Sequence, residues 1–221
     1  MSETSPTQSE PGAQAPPTPV AAAPQSPTTA GADYTDRLDR LSNKRWKQIL
    51  NPQIPYAWNT RRICRGRVLD LGCGIGRNLA HLRGAGVGVD HNPQSVQIAC
   101  ANGFEAYTPE DFLATKLAQP GSFDTLLVAH VLEHVDVEVG DGLLARYSSF
   151  LRPGGRVVLI CPQERGFASD ETHVRWVDVL DMSSHIGRLG GQVESVDSFP
   201  FPRRAGTLFV YNESVVVGTL R

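Results

Sequence analysis

Short apolar runs alternate with segments of helical periodicity over most of the chain. VLDL at 68–71, GVGVD at 86–90 and FEAY at 104–107 read as strands. FDTLLVAHV at 123–131 and GRVVLICP at 155–162 are near-continuous apolar runs of the kind a parallel sheet buries on both faces. Helical spacing falls between them: near 77–82, after Pro93, around 143–151 up to the stop Arg152-Pro153-Gly154-Gly155, and through VRWVDVLDMSSHIGRLGG to Gly190-Gly191. VESVDSF and TLFVYNESVVVG follow with no helix between them, which predicts an antiparallel hairpin. The whole pattern predicts an α/β fold with a mostly parallel sheet, an antiparallel C-terminal hairpin and helices on both faces.

The N-terminal part has a different character. Residues 1–32 hold seven of the sixteen prolines, only Glu3 and Glu10 as charges, and no aromatic residue, so this tail is expected to be disordered. Residues 33–62 form a separate lead-in. Asp33 or Thr35 can cap a helix carrying Leu38, Leu41, Trp46, Ile49 and Leu50, and NPQIPYAWNTRR then reads as a structured loop and short helix. The main domain is expected over 63–221.

Charge narrows the class. Lys plus Arg number 21 against 23 Asp plus Glu, a net charge of -2, so no basic field points to nucleic acid or to an anionic membrane. Cys64, Cys73, Cys100 and Cys161 are too widely spaced for a zinc ribbon or disulfide framework and read as reduced thiols. No apolar run reaches the ~18–20 residues of a membrane helix, and no export signal is evident, so a cytoplasmic protein with a small-molecule ligand is expected.

The first strand turns into its helix through Asp70-Leu71-Gly72-Cys73-Gly74-Ile75-Gly76. Glycines there let a ligand approach the backbone, and a carboxylate such as Asp90, at the end of the second strand, can accept a ribose diol. The spacing is GxGxG, not the GxGxxG of dinucleotide folds. With VLDLGCGIGRNL, GVGVD, FDTLLVAHVLEHV and LRPGGRVVLICP in this order, the chain resembles the class I S-adenosylmethionine-dependent methyltransferases over about residues 58–217. The resemblance implies a Rossmann-like, seven-stranded sheet and S-adenosylmethionine as cofactor. It places Gly72, Cys73, Gly74 and Gly76 along the methionine part, Asp70 behind that loop, and Asp90, His91 and Asn92 along the adenosine. It sets Glu110, Asp111 and Phe112 at adenine, with Glu110 and Asp111 both open as the recognising carboxylate. Ala129, Trp58 and Arg62 complete the implied contacts.

Methyl transfer to a hydroxyl requires alignment and removal of a proton. Directly after the fourth strand stands His130-Val131-Leu132-Glu133-His134, whose spacing brings two imidazoles and a carboxylate together on one helical turn, and His173 follows the fifth strand. His134 and His130 are therefore the catalytic candidates, and His130, Glu133, His134 and His173 a candidate site for Mg2+ or another divalent cation. The pattern resembles metal-dependent O-methyltransferases, with related forms in quinone-biosynthesis and small-RNA 3'-end 2'-O-methyltransferases. His130 here stands where that pattern has Glu. In others of the family the same LEH segment works without a metal, as base or packing.

Tyr56, Trp58, Asn59, Arg61 and Arg62, the loop 163–175 and FPFPRRAG at 199–206 supply aromatic faces, amides and arginines suited to a hydroxylated, sugar-like acceptor. PYAWNTRR, GCGIGRNL, HVLEH and THVRW together resemble the actinobacterial sugar O-methyltransferases, which implies a mannoside acceptor in methylmannose polysaccharide synthesis. A quinone- or catechol-type acceptor and an RNA 3' end are the alternatives, the latter disfavoured by the acidic balance.

Overall fold

The computed structural model describes residues 53–221. The tail expected over 1–32 and the helix expected from Asp33 lie outside the described residues. In chain order the elements are α1 (Ile54–Ile63), β1 (Val68–Leu71), α2 (Arg77–Leu82), β2 (Gly86–Val89), α3 (Pro93–Ala101), β3 (Ala106–Tyr107), α4 (Pro109–Leu113) and β4 (Phe123–Ala129). They continue with α5 (Val137–Ser148), β5 (Leu151–Pro162), α6 (Glu164–Phe167), α7 (Val179–Arg188), β6 (Gln192–Phe199) and β7 (Glu213–Thr219). One seven-stranded sheet results, in the order β3-β2-β1-β4-β5-β7-β6. Only β7 runs against its neighbours, pairing antiparallel with both β5 and β6.

The apolar runs are buried on both faces because successive side chains point to opposite sides of a strand. Leu126, Val128, Val157, Leu159 and Val216 face a large core that includes Tyr147, Met182 and Ile186. Their neighbours Leu127, Ala129, Val158, Ile160, Val215 and Val217 face a second core with Ile63 and Leu82. Local chemistry sets the helix starts: Asn92 accepts from the Gln94 and Ser95 N–H groups ahead of α3, and Asp178 from those of Leu180 and Asp181 ahead of α7.

Several boundaries differ from the sequence expectation. The run 123–131 stops at Ala129, because His130 adopts φ +58°, outside the strand region. The third strand shrinks to Ala106–Tyr107. The Arg152-Pro153-Gly154-Gly155 stop becomes the start of a longer β5, and the helix before it begins earlier, at Val137. Only the second half of TLFVYNESVVVG is strand. A buried polar knot holds residues 200–212 off the sheet: Asn212 Nδ2 donates to Gln163 Oε1 at 2.9 Å and to Ser198 Oγ at 3.0 Å, and Asn212 Oδ1 accepts from the Phe201 N–H at 3.0 Å. Gln163 Nε2 in turn donates to Ser198 Oγ at 2.8 Å and to the Glu213 carbonyl at 3.0 Å.

Candidate active site

The C-terminal ends of β1, β2, β4 and β5 carry the site, as open α/β sheets generally arrange. At the end of β1, Gly72 has φ +77°, and a Cβ there would lie 2.3 Å from Val131 Cγ2. A Cβ on Gly74, at φ +53°, would meet nothing within 4 Å, so this is the open side of the loop. The loop is tied to β2 through Asp90, which accepts from the Gly74 N–H at 2.8 Å and from the Asn92 N–H at 2.9 Å. Asp70 is fully buried beneath it. Its Oδ1 accepts from Asn78 Nδ2 at 3.4 Å, while Oδ2 has no partner. Burial, reinforced by Asp90 and opposed by Asn78, pushes the Asp70 carboxyl up to about 7.

The other residues expected at the cofactor divide. The Cys73 thiol is buried, and a Cβ on Gly88 would come 2.5 Å from its Sγ, so this side chain packs against β2 and only its backbone lines the loop. Phe112 is buried among Phe123, Tyr147 and Phe150, with its N–H donated to the Thr108 carbonyl at 2.9 Å. Glu110 and Asp111 are both exposed, and Asp111 accepts the Thr108 hydroxyl at 2.8 Å. His91 is exposed beside Asp90, whereas the buried Asn92 spends its side-chain oxygen on the α3 cap. Ala129 is buried where β4 ends. Trp58 and Arg62 pair with each other on the exposed face of α1, the guanidinium 5.3 Å from the ring centroid.

At the end of β4 the chain enters a tight turn, Leu132–His134, and three of the four expected metal ligands meet there. Glu133, His134 and His173 each offer one donor atom, all within 4.8 Å of one another. Glu133 is completely buried, and neither carboxylate oxygen makes a well-aligned hydrogen bond, Oε1 lying 3.2 Å from His130 Nδ1. His134 Nδ1 sits 3.1 Å from the Thr172 carbonyl and His173 Nδ1 2.7 Å from the Phe167 carbonyl. An imidazole that donates from Nδ1 keeps its Nε2 lone pair, the arrangement a metal-binding histidine needs. The Glu133 carbonyl also accepts from the Val174 and Arg175 N–H groups at 2.9 and 3.2 Å, fastening the His173 segment to the turn. Burial lowers the His134 pKa, despite the opposing Glu133 charge, and so favours the neutral ring.

His130 does not join this cluster. Its Nε2 lies 2.8 Å from Glu213 Oε1 and its Nδ1 3.2 Å from Glu133 Oε1. Desolvation opposes the charged ring, but the two carboxylates outweigh it and hold His130 up to about 10, which favours the imidazolium. Glu133 is correspondingly held below the usual carboxylate range: burial works against this and His130 prevails. His130, expected as ligand and catalytic group, thus stands apart from the three grouped donors, with both ring nitrogens turned to carboxylates. Glu213 is the residue that sequence reasoning missed. Its only signal is a lone acidic residue opening the last apolar run, eighty-three positions away.

A methyltransferase-domain family model matches residues 30–201, and the chain belongs to that family. The ubiquinone biosynthesis O-methyltransferase of Xanthomonas euvesicatoria pv. vesicatoria is 29% identical over 141 residues, 56% of this chain and 58% of that protein. The enzyme of the same name from Ralstonia nicotianae is 29% identical over 149 residues, 59% and 62% of the two chains. The chain thus spans about three fifths of the length of these curated relatives. Among solved structures, a SAM-dependent methyltransferase from Archaeoglobus fulgidus superposes with a TM-score of 0.60 at 19% identity, covering 84% of this chain and 99% of that one. Magnesium protoporphyrin IX methyltransferase from Synechocystis PCC 6803 with bound SAH gives a TM-score of 0.60 at 15% identity, covering 87% and 97%. These two likenesses establish the fold. Among the described residues no helix is long and apolar enough to cross a membrane.

Proposed function

We propose that the protein is an S-adenosylmethionine-dependent O-methyltransferase acting on a hydroxyl of a small acceptor, with a divalent cation held by Glu133, His134 and His173. The observation that carries this reading is the fully buried Glu133 carboxylate, within 4.8 Å of donor atoms on two imidazoles just after β4. It stands two residues beyond Val131, whose side chain packs against Gly72 of the glycine loop. The buried Asp70 with its unpartnered oxygen suits a cationic ligand, and the open loop at Gly74 leaves room for one.

In this reaction the acceptor oxygen bonds to the methyl carbon as the carbon–sulfur bond breaks, so the protein must align the two and dispose of the hydroxyl proton. Asp90 and the glycine loop hold the donor half. Glu133, His134 and His173 would hold a divalent cation, which would supply acidification and orientation of a neighbouring hydroxyl. Two imidazoles and one carboxylate suit Mn2+ or Fe2+ better than Mg2+, which prefers an all-oxygen shell. The neutral His134 is the competing proton acceptor, favoured by its Nδ1 contact with the Thr172 carbonyl.

The names of the curated relatives favour a quinone- or catechol-type acceptor over the mannoside implied by the peptide segments. Turnover on a panel of catechols, mannosides and RNA 3' ends, read as S-adenosylhomocysteine formed, decides among them. With a metal at work, EDTA abolishes turnover and Mn2+ or Mg2+ restores it. With His134 as base, chelation changes nothing and His134→Ala alone is crippling. Full activity with EDTA in the His134→Ala variant removes both forms.

A further inference from the structure

We propose that Glu213 is a positioning residue of this site: acting through His130, it holds the Glu133 carboxylate in place to receive the cation. The inference rests on the metal-assisted reading above and extends it to a residue on the far side of β5.

Three features combine. First, Glu213 is a fixed point. Its backbone pairs with Pro162 of β5 on one side and Phe199 of β6 on the other, and its carbonyl takes the Gln163 side-chain amide at 3.0 Å. Second, His130 is a poor ligand and a good bridge. Both ring nitrogens face carboxylates, at 2.8 and 3.2 Å, so neither offers a lone pair toward His134 and His173. The ring reaches both because its backbone is turned to φ +58°, while its N–H remains bonded to the Ile160 carbonyl at 2.9 Å. Third, Glu133 needs such a bridge. The Glu133 backbone is fastened by the Val174 and Arg175 N–H groups, whereas its side chain is fully buried, with Oε1 facing His130 Nδ1 at 3.2 Å and no well-aligned hydrogen bond to either oxygen.

Where the resembling metal enzymes place a carboxylate ligand, this chain has His130. Its carboxylate partner comes instead from β7, one step further from the cation.

The test is Mn2+ binding to the full chain without acceptor, followed by electron paramagnetic resonance, with S-adenosylmethionine affinity measured in parallel by calorimetry. Wild type is expected to bind one Mn2+. Glu213→Gln is expected to weaken that binding about 10-fold or more, the usual effect of losing a partner of a metal ligand, with S-adenosylmethionine affinity within about twofold of wild type. His130→Asn, which tolerates the left-handed backbone, is expected to lose a similar amount, so the proposal does not depend on one variant folding. If Glu213 acts through His130, the double variant is no worse than either single one. Additive losses, or Mn2+ binding unchanged in Glu213→Gln, overturn the positioning role and leave the metal centre standing. Absence of Mn2+ binding in a wild-type protein that still binds S-adenosylmethionine overturns the centre itself and this role with it.

Discussion

The glycine loop and the histidine cluster lie at the ends of neighbouring strands but hold their shape by different means. Around the loop, backbone N–H groups, positive φ angles and one carboxylate, Asp90, do the work within twenty residues of Asp70. Around the cluster, side chains drawn from β4, the segment after β5 and the start of β7 converge across the sheet. A binding surface made of backbone depends on local sequence and tolerates few alternatives. One made of distant side chains can be retuned for a new acceptor by changing loops, which is where functional variation concentrates.

The sharpest way to break this contrast is at Glu133. Glu133→Gln is expected to lower turnover at least about 100-fold, on the order of 3 kcal/mol in the barrier, while leaving S-adenosylmethionine affinity within about twofold. A parallel loss of cofactor affinity, read by calorimetry, would show that the two ends are one unit.

The reverse probe is Gly72→Ala. It adds a Cβ 2.3 Å from Val131 Cγ2 at φ +77°, and about 1–3 kcal/mol of strain is expected to appear as a lower melting temperature and roughly 10-fold weaker S-adenosylmethionine binding. Adding Val131→Ala should recover the steric part alone, since φ is unchanged. Complete recovery would mean that backbone strain contributes nothing here.

Asp70 separates the ends by pH. Its carboxyl moves from 3.8 to about 7 in the fold, so the stability its protonated form contributes is full below about pH 4 and lost as pH rises through 7. Asp70→Asn is expected to flatten that decline, by about 3 kcal/mol at most, in urea unfolding compared at pH 5 and 8. Parallel profiles for the two proteins would mean that Asp70 is ionised throughout. The smallest effect is expected from removing residues 1–29, which precede the family match and offer little apolar surface to bury. Melting temperature and turnover should both stay unchanged, and a drop in turnover would give that segment a part in the acceptor end.

The same contrast explains what could be read beforehand. Apolar runs such as FDTLLVAHV and GRVVLICP gave away the central strands, because burial on both faces leaves no room for polar alternation. The glycine loop and Asp90 were equally legible, since backbone turns write themselves into adjacent residues. The inward packing of the Cys73 and Phe112 side chains was not legible, because adjacency does not say toward which side of a strand or short helix a side chain points. The end of β4 was missed for a tertiary reason: His130 leaves the strand conformation to span Glu133 and Glu213, a pairing that no local period encodes. The buried Asn212 and Gln163 likewise look like ordinary loop amides until their partners are in place.

The position of β7 also sets an order of assembly. All strands that frame the glycine loop precede His130, so a chain emerging N-terminus first can form the cofactor half early. The other half waits: β5 and β6 meet only through β7, and Glu213 is the first residue of that strand. A chain broken just before Glu213 would retain Gly72, Asp90 and even the three proposed donors Glu133, His134 and His173, but with unpaired strand edges and no anchor for His130. Competence to hold the donor and competence to act on an acceptor therefore arise at different moments in the life of the chain, the second only when its last strand slides between two others.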